Sequence, residues 1–310
     1  MSKNFILKLF PVVFYGLLII FLAIYIQNLD WSKLKAVRVS WPYLGIATVL
    51  ALGMRHWGAF VWLTLLKSLG AVDLRSRRVQ LLYVYAKSWL GRYIPGTAPW
   101  ILGKIYFASQ LGVSKNKLAV SSLLEGALQI VVTLIIAFII LLFDPRVDVI
   151  DPGFKLLLAV ILLGCIITLI PGVFGRIISL AYKVVKRKTF PTEHMAGRST
   201  ILKGAGLYVI GAILGGLSFF FIAKTVYAPL GYNDMLFVLG ASNLASAVSM
   251  LAIFAPSGLG VREGIQVLLL SLIMPVEFAI LIAVVTRIWN VAVDFVFLGM
   301  ARAYQSVNWP

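Results

Sequence analysis

Long apolar runs set the frame of this chain. Six of them, at residues 9–29, 41–66, 118–143, 156–175, 204–227 and 278–301, carry at most two charged side chains each. A helix crosses the ~30 Å hydrocarbon core with about 20 such residues, so each run is predicted to span a bilayer. Two further apolar stretches, 79–111 and 235–273, are broken near the middle. The first break is Arg92-Tyr93-Ile94-Pro95-Gly96, with Pro99 close behind. The second is Ala255-Pro256-Ser257-Gly258-Leu259-Gly260-Val261-Arg262-Glu263. In 79–111 each arm is roughly 14 to 16 residues, which a helix converts into only ~21–24 Å. Irregular backbone inside a bilayer survives only where protein or a water-filled cavity covers it. Both stretches are therefore predicted to be re-entrant helical hairpins.

Charge between the runs predicts their direction. Lys3 and Lys8 precede the first run, Lys67, Arg75, Arg77 and Arg78 follow the second, and Lys115 and Lys117 follow the first hairpin. The segment 176–203 holds Arg176, Lys183, Lys186, Arg187, Lys188, Arg198 and Lys203 against Glu193. Such loops stay cytoplasmic. Asp144, Asp148, Asp151 and Asp234 mark the opposite side, and Arg302 returns the C-terminus to the cytoplasm. The segment 28–40 is mixed in sign. Residues 1–151 and 152–310 then share one order, span, span, broken hairpin, span, with opposite starting sides. Pro95 lies 30 positions before Glu125, and Pro256 lies 31 before Arg287. The predicted architecture is an all-α polytopic membrane protein, six spans and two hairpins arranged as an inverted repeat, as in many carriers.

Composition agrees and removes alternatives. The chain is 61% hydrophobic and 13% charged, with a mean hydropathy of +0.98. Its net charge of +17 suits cytoplasmic loops facing anionic lipid, so no nucleic-acid partner is expected. The opening Met-Ser-Lys leads into a full span without a small-residue cleavage site, which predicts a retained helix. Cys165 has no second cysteine to pair with, and His56 and His194 lack metal-ligand spacing; no metal and no cofactor is expected. Asp144, Asp148 and Asp151 sit among Pro145 and Pro152 and suit a solvated loop. Trp31, Trp41, Trp57, Trp62, Trp89, Trp100 and Trp309 are predicted to form interfacial belts.

Charges inside apolar segments carry the chemistry, because each costs ~2.5–3.5 kcal/mol at a helix centre on insertion scales. They are Arg55 with His56, Arg92, Lys104, Glu125, Arg262 with Glu263, Arg287 and Asp294. Arg287, Asn290 and Asp294 share one helix face, as do Glu125 and Gln129. Structural pairing is one expectation: Arg287 with Asp294 or Glu125, and Arg262 with Glu263. Arg92 and Lys104 have the alternative of snorkelling to the interface, and His56 is a candidate for proton coupling. The five cations Arg55, Arg92, Lys104, Arg262 and Arg287 still exceed Glu125, Glu263 and Asp294 by two. Guanidinium forks match phosphate oxygens, and helix N-termini after Gly96 and Gly258 add N–H donors. The five cations are the candidate head-group ligands, and the three carboxylates orient them or take a positive head-group moiety. Pro95, Gly96, Pro256, Gly258 and Gly260 form the breaks.

Two motifs resemble a known family. Arg92-Tyr93-Ile94-Pro95-Gly96, then Leu102-Gly103-Lys104-Ile105-Tyr106, Leu111-Gly112-Val113-Ser114 and Glu125, is similar to the first signature of the lysylphosphatidylglycerol synthase transmembrane, or flippase-like, family. The run 255–263 followed by Arg287 is similar to its second. Many members carry an acidic residue soon after the first Pro-Gly, where this chain has Thr97-Ala98-Pro99-Trp100. The synthases add a large soluble aminoacyl-transfer domain, so for residues 1–310 the resemblance implies the lipid-moving half alone. The expected function is a carrier of a phospholipid or polyprenyl-phosphate-linked lipid in the inner (plasma) membrane, not a synthase. The alternatives are a membrane enzyme using Glu263 or Glu125 on lipid-linked substrates, and a membrane partner of a separate lipid-synthesising enzyme. Expected partners are anionic or phosphate-bearing membrane lipids, such an enzyme, and further copies of the chain.

Overall fold

A computed structural model describes residues 32, 39–71, 77–94, 99–149, 152–186, 196–252, 255 and 258–308. The predicted span 9–29, His194, and the break residues Pro95, Gly96 and Pro256 lie outside the described residues. Ten helices occur among those described: α1 (Trp41–Ser68), α2 (Arg78–Trp89), α3 (Pro99–Ser109), α4 (Lys115–Leu142), α5 (Pro152–Thr168), α6 (Pro171–Lys186), α7 (Arg198–Val226), α8 (Met235–Leu251), α9 (Val261–Leu270) and α10 (Val276–Asn308). No strand occurs among them. The segments Trp41–Ser68, Lys115–Phe143, Arg198–Val226, Tyr232–Leu251 and Val276–Val307 are long and apolar enough to cross a membrane. Large apolar side chains are exposed on these and on the shorter helices: Val49 on α1, Ile288 on α10, Leu156 on α5 and Leu268 on α9. The chain is an all-α, multi-pass membrane protein.

One predicted span is shorter than expected. The run 156–175 breaks after Thr168, and α6 leaves at 86° to α5. Pro171 causes the break, because it lacks an N–H, tolerates only the first turn of a helix and disfavours helical backbone at Ile170. The helix it starts is amphipathic. Phe174, Ile178 and Tyr182 are buried, while Arg176 and Lys183 are exposed.

The two broken stretches differ in their arms. In the first, α2 has 12 residues followed by a 3₁₀ turn at Leu90–Tyr93, and α3 has 11. At 1.5 Å per residue both fall short of ~30 Å, and they pack on each other. In the second, α8 with its preceding turn is span-length, whereas α9 has 10 residues. The chain re-enters helix through Gly258 (φ +65°) and Gly260 (φ +84°). The Gly260 N–H donates to Glu263 Oε2 at 2.7 Å, so a carboxylate closes the first turn of α9, where the helix dipole favours it. A Cβ on Gly258 would lie 2.3 Å from Ser249 Cβ. Gly258→Ala should therefore cost ~1–2 kcal/mol for the left-handed backbone plus ~1–3 kcal/mol for overpacking. Thermal melting in detergent should show it clearly less stable than the wild type; wild-type melting would refute the contact.

Helix α1 lies along α7. Close approach is permitted by small residues: Gly211 faces Trp57, Gly215 faces Met54, and Ser218 Oγ donates to the Ala47 carbonyl at 3.0 Å, the usual means of membrane helix packing. The other helix contacts come in matched sets. α2 packs on α10 and α8 on α4; α3 on α4 and α9 on α10; α1 on α4 and α7 on α10.

Candidate functional site

Residues of α1, α2, α4, α7, α8, α9 and α10 line a cavity of about 130 Å³ between the broken stretches. Its wall mixes apolar surface with Arg55, Arg92, Glu125, Gln129, Tyr208, Asn243, Arg262, Thr286 and Asn290. Three carboxylates behind or within this wall organise its charge.

Asp294 is the first. Its Oδ1 accepts from Arg55 Nε at 2.6 Å and from Trp89 Nε1 at 3.2 Å, and its Oδ2 accepts from Tyr93 OH at 2.6 Å. Arg55 also donates to Asn290 Oδ1 at 2.8 Å. The pair is nearly dry, with Arg55 4% and Asp294 1% exposed. The Trp89 ring lies 4.4 Å below the Arg92 guanidinium, a cation–π contact that aims Arg92. Three elements, α1, α2 with its turn, and α10, are thus fastened through one side chain.

Glu125 is the second. It pairs with Lys104 and accepts from Tyr85 OH at 3.1 Å. The Lys104 ammonium also lies 4.3 Å from the Trp100 ring, 4.9 Å from Tyr85 and 5.4 Å from Trp62. Lys104 and Glu125 are each 1% exposed. Glu263 is the third, joined to Arg287 at 3.0 Å as well as to the Gly260 N–H. Here the side chains are 22% and 23% exposed, so water reaches this pair.

Several expected contacts are replaced. Asp294 pairs with Arg55, not Arg287; Arg287 pairs with Glu263, not with Asp294 or Glu125; and Arg262 does not pair with Glu263. Residues i and i+7 are separated by ~10.5 Å along a helix, so Arg287 and Asp294 meet different neighbours although they share a face. Lys104 does not snorkel outward: it is buried in an ion pair. His56 lies off the cavity, its Nδ1 2.9 Å from the Leu52 carbonyl and its ring edge-on to Phe297.

The tryptophans also depart from an interfacial belt. Trp62 is fully buried and donates to Ser121 Oγ, Trp57 donates to the Leu207 carbonyl, and Trp89 and Trp100 contact intramembrane charges. Trp41, 73% exposed, suits the expectation. Sequence reasoning missed Tyr85, Tyr93, Tyr208 and Thr286 as site residues. Tyr85 and Tyr93 had a readable signal, standing seven residues before and one after Arg92, in the broken stretch itself.

What remains is Arg92 and Arg262. Both line the cavity, one before the first break and one after the second, and neither forms an ion pair with a described carboxylate. Arg262 Nε is buried without a hydrogen-bond partner among the described residues.

The model of the family described as lysylphosphatidylglycerol synthase TM region matches residues 9–297. The chain belongs to this family. The match to the lysylphosphatidylglycerol synthase TM region includes both broken stretches and all three carboxylate centres, so the site is part of the family domain. No curated protein and no solved structure matches the chain.

Proposed function

We propose that the chain is a flippase-like carrier that binds and translocates an anionic, phosphate-bearing lipid across the cytoplasmic membrane. One observation carries this reading: Arg92 and Arg262, from the two broken stretches, share a cavity and have no carboxylate partner among the described residues, whereas Arg55, Lys104 and Arg287 each have one. Uncompensated cations in a membrane domain are costly and mark sites of function, and guanidinium groups hold phosphate oxygens bidentately.

Residues 1–151 and 152–310 act in this proposal as inverted halves. The matched packing supports it, since pairing α1 with α7, α2 with α8, α3 with α9 and α4 with α10 turns each contact set into its counterpart. The ion pairs follow the same exchange with reversed sign: Lys104 on α3 meets Glu125 on α4, and Glu263 on α9 meets Arg287 on α10. The halves would rock about the shared site, with both termini cytoplasmic as the basic loops suggest. In proteoliposomes carrying labelled phospholipid or polyprenyl phosphate, Arg92→Gln and Arg262→Gln should each slow translocation about tenfold or more, the loss of a charge-assisted hydrogen bond. Wild-type rates in both variants would end the proposal.

A further inference from the structure

The proposed lipid site has a size, a charge and a set of waiting donors, and together these narrow its ligand. Size comes first. A void of about 150 Å³ admits benzene, and this cavity measures about 130 Å³, well under the ~300–1,000 Å³ of pockets that enclose drug-sized ligands. A phosphoryl group fills such a space.

Charge comes second. Of the five cations of the candidate site, Arg55, Lys104 and Arg287 are paired with its three carboxylates, which leaves Arg92 and Arg262 without an ion pair among the described residues. These two guanidinium-bearing side chains line the same cavity. A phosphodiester brings one negative charge, whereas a phosphomonoester carries about −1.5 to −2 at pH 7.

Donors come third. Arg262, Tyr208 and Thr286 line this cavity, and Arg262 Nε, Tyr208 OH and Thr286 Oγ1 are buried without hydrogen-bond partners among the described residues. They come from α9, α7 and α10, so no single local turn explains them. Buried donors are normally satisfied, and a terminal phosphate presents three acceptor oxygens.

We infer that the cavity takes a terminal phosphomonoester, the head of a lipid monophosphate, in preference to the phosphodiester of a glycerophospholipid head group. This rests on the proposed carrier function and specifies its substrate class. The acyl or prenyl chain of such a ligand stays outside the polar part of the cavity.

The test titrates the purified full chain in detergent with dioleoyl phosphatidate, dioleoyl phosphatidylglycerol or inorganic phosphate, reading binding by tryptophan fluorescence and by the shift in thermal unfolding. Phosphatidate should bind about tenfold tighter than phosphatidylglycerol, the ratio one further charge-assisted hydrogen bond supplies. Arg92→Gln and Arg262→Gln should abolish that binding. Tyr208→Phe and Thr286→Val, each of which removes one hydroxyl, should narrow the preference even if an arginine variant fails to fold. Equal or tighter phosphatidylglycerol binding that still requires the two arginines overturns the monoester and leaves the carrier standing. Lipid binding indifferent to both arginines overturns both. Inorganic phosphate competing at the same concentration as phosphatidate makes the ligand soluble phosphate and overturns the lipid assignment.

Discussion

Lys104→Met, made alone, is expected to remove most of the folded protein, and Lys104→Met with Glu125→Met is expected to restore much of it. Lys104 and Glu125 are each 1% exposed and pair across α3 and α4. Removing one partner strands the other charge where water cannot reach it, a loss of about 3–5 kcal/mol; replacing both by apolar groups is often neutral or stabilising. The equivalent pair on α9 and α10 supplies the control. Glu263 and Arg287 are roughly a fifth exposed, so solvent screens whichever charge is left, and Arg287→Met should cost clearly less. The monodisperse fraction on size exclusion and the melting temperature in one detergent check both statements. Wild-type melting of Lys104→Met, or a double variant no better than the single, would sink the buried-pair account.

Much of the architecture was legible because hydropathy and length act locally. A run such as 118–143 has few alternatives to a spanning helix, and Pro–Gly inside 79–111 forbids a straight one. The 86° turn at Pro171 was equally local, but the apolar run 156–175 continues through it and masks the break. The surplus of two cations could be counted from composition. Which two form it could not, because ion pairing is decided by helices distant in sequence: Arg55 meets Asp294 across 239 positions. Trp89 shows the same limit from another side. It stands at a helix end, where tryptophan usually marks the membrane interface. That end is instead enclosed by protein, and the ring serves Asp294 and Arg92.

Asp294→Asn should produce the second large effect, and it separates holding the fold from binding the ligand. Asparagine keeps the size and one acceptor oxygen but removes the charge. Arg55, 4% exposed, then becomes an uncompensated cation, with about 3–5 kcal/mol lost as for any broken buried pair. The donors Trp89 and Tyr93 must share the remaining acceptor with Arg55. Adding Arg55→Gln removes the stranded charge, so the double variant should melt well above Asp294→Asn alone. Its lipid binding should not recover in step. Arg92 is aimed by stacking on Trp89, and Trp89 is held by its bond to the aspartate. Without that anchor the ring can turn, and the guanidinium loses its direction into the cavity. Melting and phosphatidate titration on the same preparations distinguish the two roles. If binding returns together with stability, Asp294 acts through the Arg55 pair alone and the Trp89 link carries no weight. If Asp294→Asn melts like the wild type, the carboxylate does not compensate Arg55 at all, and the division of the five cations into three paired and two without an ion pair among the described residues fails with it.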